Sequence, residues 1–190
     1  LKQFYKEGES IQQATFHFVN ALFADYGLVV LLPDNPSLKK LMVPVFTDEL
    51  LNQVASDIIE VSADKLEKGG YKVQASAREI NLFYLKDDLR NRIELKNEKY
   101  RVVDSSLVFS EDEMVKELQQ HPERFSPNVI LRGLYEETIL PNIAFIGGGG
   151  ETAYWLQLKG LFEHYKVPYP VLILRNSFLV LEQKWKEAVS

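Results

Sequence analysis

Asn142-Ile143-Ala144-Phe145-Ile146-Gly147-Gly148-Gly149-Gly150-Glu151 reads as a short apolar strand that turns sharply into a helix. Glycine allows close backbone approach and positive φ, and a helix start offers N–H groups without intrahelical partners. The junction therefore suits an anionic group such as a phosphate or a carboxylate. Beyond it, Tyr154, Trp155, Leu158, Leu161, Phe162 and Tyr165 recur at helical spacing. They define one apolar face, expected to be core rather than a ligand-stacking surface. Val171-Leu172-Ile173-Leu174 then reads as a second strand. Strand, helix, strand is the unit of a parallel sheet, so the fold class is α/β.

Upstream, Ser10 is a candidate N-cap for a helix carrying Ile11, Ala14, Phe18, Ala21 and Leu22, closed by Gly27. Residues 28–32 form a continuous apolar run before Pro33, the pattern of a strand buried on both faces. Pro44 opens a helix expected to run to Lys68, where Gly69-Gly70 ends it. Short strands follow at residues 81–85, 92–95 and 100–103, with Asn97-Glu98 as a turn. We read 71–109 as a small β-rich insertion between a first core part at 1–70 and a second, with the glycine turn, at 110–181. A C-terminal helix is expected to start in 182–190. Ser110 followed by Glu111, Asp112 and Glu113 supplies a cap and an acidic first turn for a further helix.

With 190 residues, 46% of them hydrophobic, the chain can bury a substantial core. Its formal charge of −5 is mixed along the sequence, which disfavours nucleic-acid binding. The absence of cysteine removes disulfides, thiolate nucleophiles and Cys-based metal sites, in keeping with a cytoplasmic setting. No apolar stretch approaches the roughly 20 residues of a membrane span. A start at Leu1 and a helix-like end suggest a piece of a longer protein.

Several residues could carry chemistry. Gly148-Gly149-Gly150-Glu151-Thr152-Ala153 satisfies the dinucleotide pattern G-x-G-x-x-A, and Arg175 at the end of the next strand would suit a 2′-phosphate. An NADP-binding oxidoreductase domain is one reading on that ground. It lacks the acid expected on the ribose, and a run of four glycines meets many glycine patterns. A P-loop fails for want of Lys-Ser or Lys-Thr after Gly150. Glu151 repels a phosphate placed directly at the helix start, but can accept from a hydroxyl or pair with an ammonium. Arg132 and the trio Arg175-Asn176-Ser177 offer guanidinium and amide donors for oxyanions. His17, His121 and His164 lack metal-pair spacing, so no metal is expected. The acidic pairs Asp87-Asp88 and Glu136-Glu137 read as solvated faces; either could be catalytic, but no sequence feature selects one.

Phe125-Ser126-Pro127-Asn128-Val129-Ile130-Leu131-Arg132, the run Glu136-Glu137-Thr138-Ile139-Leu140-Pro141, the glycine turn with Ala153-Tyr154-Trp155, and Leu174-Arg175-Asn176-Ser177 together resemble the bacillithiol biosynthesis cysteine-adding enzyme family. Thr15-Phe16-His17-Phe18, Tyr26-Gly27-Leu28-Val29-Val30 and Ile80-Asn81-Leu82-Phe83-Tyr84-Leu85 extend the resemblance over most of the chain. Gly133 and Gly149 depart from it, standing where many members have proline. The resemblance implies a Rossmann-like, nucleotidyltransferase-type core and a C-terminal coiled coil, missing here, through which the parent dimerises. It also implies a ligase that joins the carboxyl of cysteine to the amine of glucosaminyl-malate. Activation of that carboxyl by ATP is the chemical expectation. Gly147, Gly148, Gly149, Gly150 and Glu151, with Arg132, Arg175, Asn176 and Ser177, are the candidate substrate-binding residues; the catalytic base is unassigned. A non-catalytic scaffold role for the fragment is the other alternative.

Overall fold

The computed structural model describes residues 1–179, 181–183 and 185. The helix expected over 182–190 falls largely outside them. Helix α1 spans Ile11–Phe23 and is capped by the Ser10 hydroxyl, which accepts from the Gln13 N–H. Helices α2 (Pro36–Lys40), α3 (Val43–Asn52) and α4 (Val54–Lys68) follow. The single helix expected over 44–68 is thus two, because Gln53 takes a left-handed backbone with φ 53° and turns the chain between α3 and α4.

Strands β1 (Leu82–Lys86), β2 (Leu89–Lys96), β3 (Lys99–Val102) and β4 (Val108–Phe109) form an antiparallel meander. Helix α5 (Glu111–Gln120) starts at a capping box in which Ser110 and Glu113 satisfy each other's backbone N–H groups. Strand β5 (Phe125–Pro127) then pairs with β1, giving the order β4-β3-β2-β1-β5. The meander draws its fifth strand from beyond residue 109, and its inward residues Tyr84, Ile93, Tyr100 and Val102 share one core with Phe46, Leu50, Met114 and Leu118.

Helix α6 (Val129–Ile139) is capped by the Asn128 side chain, whose oxygen accepts from Ile130 N–H at 2.8 Å. Strand β6 (Ala144–Gly147), helix α7 (Gly149–Tyr165) and strand β7 (Val171–Leu174) complete the α/β unit, with β6 and β7 parallel as expected. The apolar face of α7 is core: Trp155, Leu158, Leu161 and Phe162 are buried, and Trp155 stacks on Phe145 with ring centroids 4.1 Å apart. Gly133 lets α6 approach this face, since a Cβ there would lie 3.0 Å from Trp155 Cζ2.

Residues 28–32 are not a strand. A strand exists through its ladder, and this run has none among the described residues; Leu28, Val29 and Leu31 are exposed, not buried on both faces. The acid pair Glu136-Glu137 is not a solvated face either. Glu137 is buried and accepts from the backbone and side-chain N–H groups of Asn142 at 2.8 and 3.0 Å, holding the chain as it leaves α6 for β6. Asp87 does sit in an exposed turn, at positive φ between β1 and β2.

Candidate functional site

The four glycines divide into two pairs, and none takes a positive φ. At Gly147 a Cβ would meet the Phe145 ring at 2.5 Å, and at Gly148 it would meet Arg175 Nη2 at 3.2 Å and Glu151 Oε2 at 3.3 Å. Packing therefore explains these two. A Cβ at Gly149 or Gly150 would meet nothing within 4 Å among the described residues, so none of these demands glycine there.

Arg175 arrives at the turn through the sheet. Its backbone N–H continues the β6–β7 ladder by donating to the Gly147 carbonyl at 2.9 Å, which sets its guanidinium beside Gly148. Glu151 arrives through the helix: its carboxylate accepts the Gly148 N–H at 2.8 Å, at the positive end of the α7 dipole. The expected set of donors over 148–151 is thereby narrowed. One N–H is satisfied internally, and those of Gly149, Gly150 and Glu151 remain in the first turn, where a helix leaves donors unsatisfied. A phosphate or carboxylate at the turn would have to share it with, or displace, the Glu151 carboxylate. That applies equally to the pyrophosphate of a dinucleotide. Asn176 and Ser177 follow β7 and are exposed.

Arg132, on α6, belongs to a second group beside the turn. It interacts electrostatically with Glu136 one helical turn on and with Tyr154 on α7. Burial pushes the Glu136 carboxyl above the usual range, Glu137 and Glu151 push it further, and Arg132 opposes them. A half-buried carboxyl whose pKa is raised by burial is a candidate proton acceptor or donor, and nothing in the sequence singled Glu136 out for that role.

Arg132 and Glu136 also line a cavity of about 490 Å³, walled by Val29, Leu31 and Pro33 on one side and by Leu85, Pro127, Ile139 and Leu140 on others. The extended run 28–32 thus serves as a wall, with the alternate residues Val29 and Leu31 on the cavity side. Lys39 lines the cavity with its side chain 1% exposed; its ammonium donates to Asp34 Oδ1 and to the Glu123 carbonyl, both at 3.1 Å. Burial lowers the Lys39 pKa, Asp34 opposes the shift, and nearby Arg90 adds to it. The Tyr135 hydroxyl fixes the wall by donating to the Pro33 carbonyl at 2.6 Å. Asp34, Lys39, Arg90 and Tyr135 escaped sequence reading; the one local signal was the Pro33-Asp34-Asn35-Pro36 turn after an apolar run.

The family model described as bacillithiol biosynthesis BshC, N-terminal Rossmann-like domain, matches residues 1–176. Three similar proteins carry the provisional name cysteine ligase BshC. The one from Flavobacterium johnsoniae is 43% identical over 180 residues, 95% of this chain and 34% of the relative. The one from Flavobacterium psychrophilum is 46% identical over 95% of this chain and 34% of its own length. The one from Cytophaga hutchinsonii is 46% identical over 92% and 34% respectively. This chain therefore spans about a third of the length of the curated relatives it matches.

Proposed function

Because this chain belongs to the bacillithiol biosynthesis BshC family, through its N-terminal Rossmann-like domain, we propose that it contributes part of the active site of a ligase joining the carboxyl of cysteine to the amine of glucosaminyl-malate. The observation that carries this reading is the meeting of Arg175 and Glu151 at Gly148, beside the Arg132–Glu136 group and the cavity it borders. An amide ligase needs groups that hold oxyanions, a carboxylate that can orient an amine or hydroxyl, and a nearby group able to take a proton. Each has a candidate within this one region.

The chemistry sets the order of events. A free carboxylate does not acylate an amine, so the cysteine carboxyl is first converted to an acyl phosphate or acyl adenylate, with ATP as the proposed donor. The amine nitrogen then attacks the carbonyl carbon, the phosphate or AMP leaves with its bonding electrons, and the nitrogen loses a proton. Arg175 and the N–H groups of Gly149 and Gly150 would stabilise the developing oxyanions, provided that Glu151 turns its carboxylate from the helix start toward the incoming amine. The dimerisation of the parent through a coiled coil belongs to the same proposal.

The test is a mass-spectrometric product assay of the full-length enzyme with cysteine and glucosaminyl-malate, with and without ATP. The cysteinyl amide, formed only with ATP, is the expected result. Intact substrates after prolonged incubation with folded enzyme would overturn the reading.

A further inference from the structure

The cavity between residues 29–34, β1, β5 and α6 differs in charge from the glycine turn beside it. Three cations line it, Lys39, Arg90 and Arg132, against two acids, Asp34 and Glu136. Asp34 is committed to Lys39 at 3.1 Å, and Glu136 lies in the field of Arg132. Lys39 and Arg90 nonetheless share one wall, close enough for their like charges to interact, with Glu123 as the other acid felt by Lys39. An ammonium has three N–H donors, and Asp34 and the Glu123 carbonyl account for two. Arg90 is exposed and stacked over the Phe83 ring, with Cζ 4.1 Å from its centroid. That contact positions the guanidinium without using its N–H donors. With Asp34 and Glu136 already paired, the lining still carries one more cation than acid, which favours an anionic ligand.

We infer that this cavity is a carboxylate-reading subsite, in which Lys39, Arg90 and Arg132 receive the dicarboxylate end of the acceptor. The inference rests on the ligase reading only for the identity of that acceptor. Two observations favour the cavity over the glycine turn for this role. The turn already holds a carboxylate of its own, that of Glu151, on the Gly148 N–H. The cavity volume of about 490 Å³ suits a sugar–dicarboxylate conjugate of about twenty non-hydrogen atoms, within the range of small-ligand pockets, whereas cysteine alone would leave most of it open. Glu136, which lines the same cavity, is in electrostatic contact with Glu151 at the glycine turn.

The experiment is isothermal titration of the full-length enzyme with L-malate, and with dimethyl malate as the uncharged counterpart, alongside steady-state kinetics. L-Malate is expected to bind and the ester not to. Arg90→Ala, a change at an exposed side chain, is expected to weaken malate binding and raise KM for glucosaminyl-malate by about tenfold, the loss of charge-assisted hydrogen bonds, while KM for cysteine stays within about twofold. Lys39→Met should act in the same direction; because its burial puts folding at risk, Arg90→Ala decides. Absence of malate binding, or an Arg90→Ala enzyme that forms the amide with unchanged acceptor KM, would overturn the subsite and leave the ligase reading standing. Arg90-dependent malate binding by an enzyme that makes no amide would keep the subsite and remove the ligase reading.

Discussion

Glu151 is held by one hydrogen bond to its own helix start, at 2.8 Å, with the Arg175 guanidinium alongside the same glycine. A glutamine can still accept from the Gly148 N–H, so Glu151→Gln should fold and lose only about 0.3–1 kcal/mol of dipole interaction. Its turnover in the full-length enzyme should nonetheless drop by well over the factor that this small loss allows. Normal turnover would reduce Glu151 to a helix-capping acid. Arg175→Ala should weaken substrate binding several-fold, and unchanged affinity by titration would retire its role. Two glycine replacements separate packing from function. Gly133→Ala pushes a methyl against Trp155 and Leu158, at 3.0 and 3.2 Å, and should lower stability by about 1–3 kcal/mol in urea unfolding. Gly150→Ala meets nothing among the described residues. It should unfold at the same or a higher urea concentration, and a fall in its activity would mark the space at α7's start as ligand space.

Two carboxylates tie helices to β1 or to the residue just before it, and their titrations act in opposite senses. Glu49 on α3 is fully buried and accepts from the backbone and side chain of Asn81, both at 2.8 Å, and from Ala55 N–H at 3.2 Å; burial nevertheless raises its pKa. Such a group contributes most below the ordinary carboxylate range, and its contribution declines as pH rises toward the folded-state value. For Glu117 on α5, burial also pushes upward, but hydrogen bonds from Tyr84 and Arg124, both 2.6 Å, outweigh it and hold the carboxyl below its usual range. Its contribution is present above the ordinary value near 4.3 and is lost as pH falls through and below it. A Glu117→Gln variant should therefore be less stable than wild type at neutral pH and lose less on acidification, as denaturant midpoints at a series of pH values will show. Equal pH dependence in both proteins would rule the contact out as a source of acid sensitivity. None of these partners could be read along the chain. The Ser110 capping box, the stripe of α7 and the strand–glycine–helix junction were legible because each is complete within a few consecutive residues. Residues 28–32 misled because an apolar run says nothing about whether a neighbouring strand exists. Lys39, Glu49 and Glu137 were invisible as buried charges, since for Lys39 and Glu49 the groups that satisfy them lie far along the chain or in side chains that give no periodic signal.

Across the whole molecule, stability should be uneven. Helix α1 buries only Ala14 and is held chiefly to the N-terminal residues by contacts such as Phe4 with Phe18, whereas α3, α5, α7 and the meander share one core. Hydrogen exchange should accordingly show early labelling over α1 and residues 28–32, and late labelling over β1–β3 and α7. Uniform protection across all of these segments would contradict the packing. No helix among the described residues is long and apolar enough to cross a membrane. The sheet of β6 and β7 has a further consequence. Neither strand has a second neighbour among the described residues, and Ile146, Val171, Ile173 and Leu174 are exposed beside those open edges. Unpaired backbone flanked by apolar side chains is a template for any passing strand, a copy of itself included. For anyone preparing this chain by itself, the practical limit will therefore be colloidal: light scattering should rise with concentration, and Ile173→Lys should postpone the rise without shifting the melting temperature.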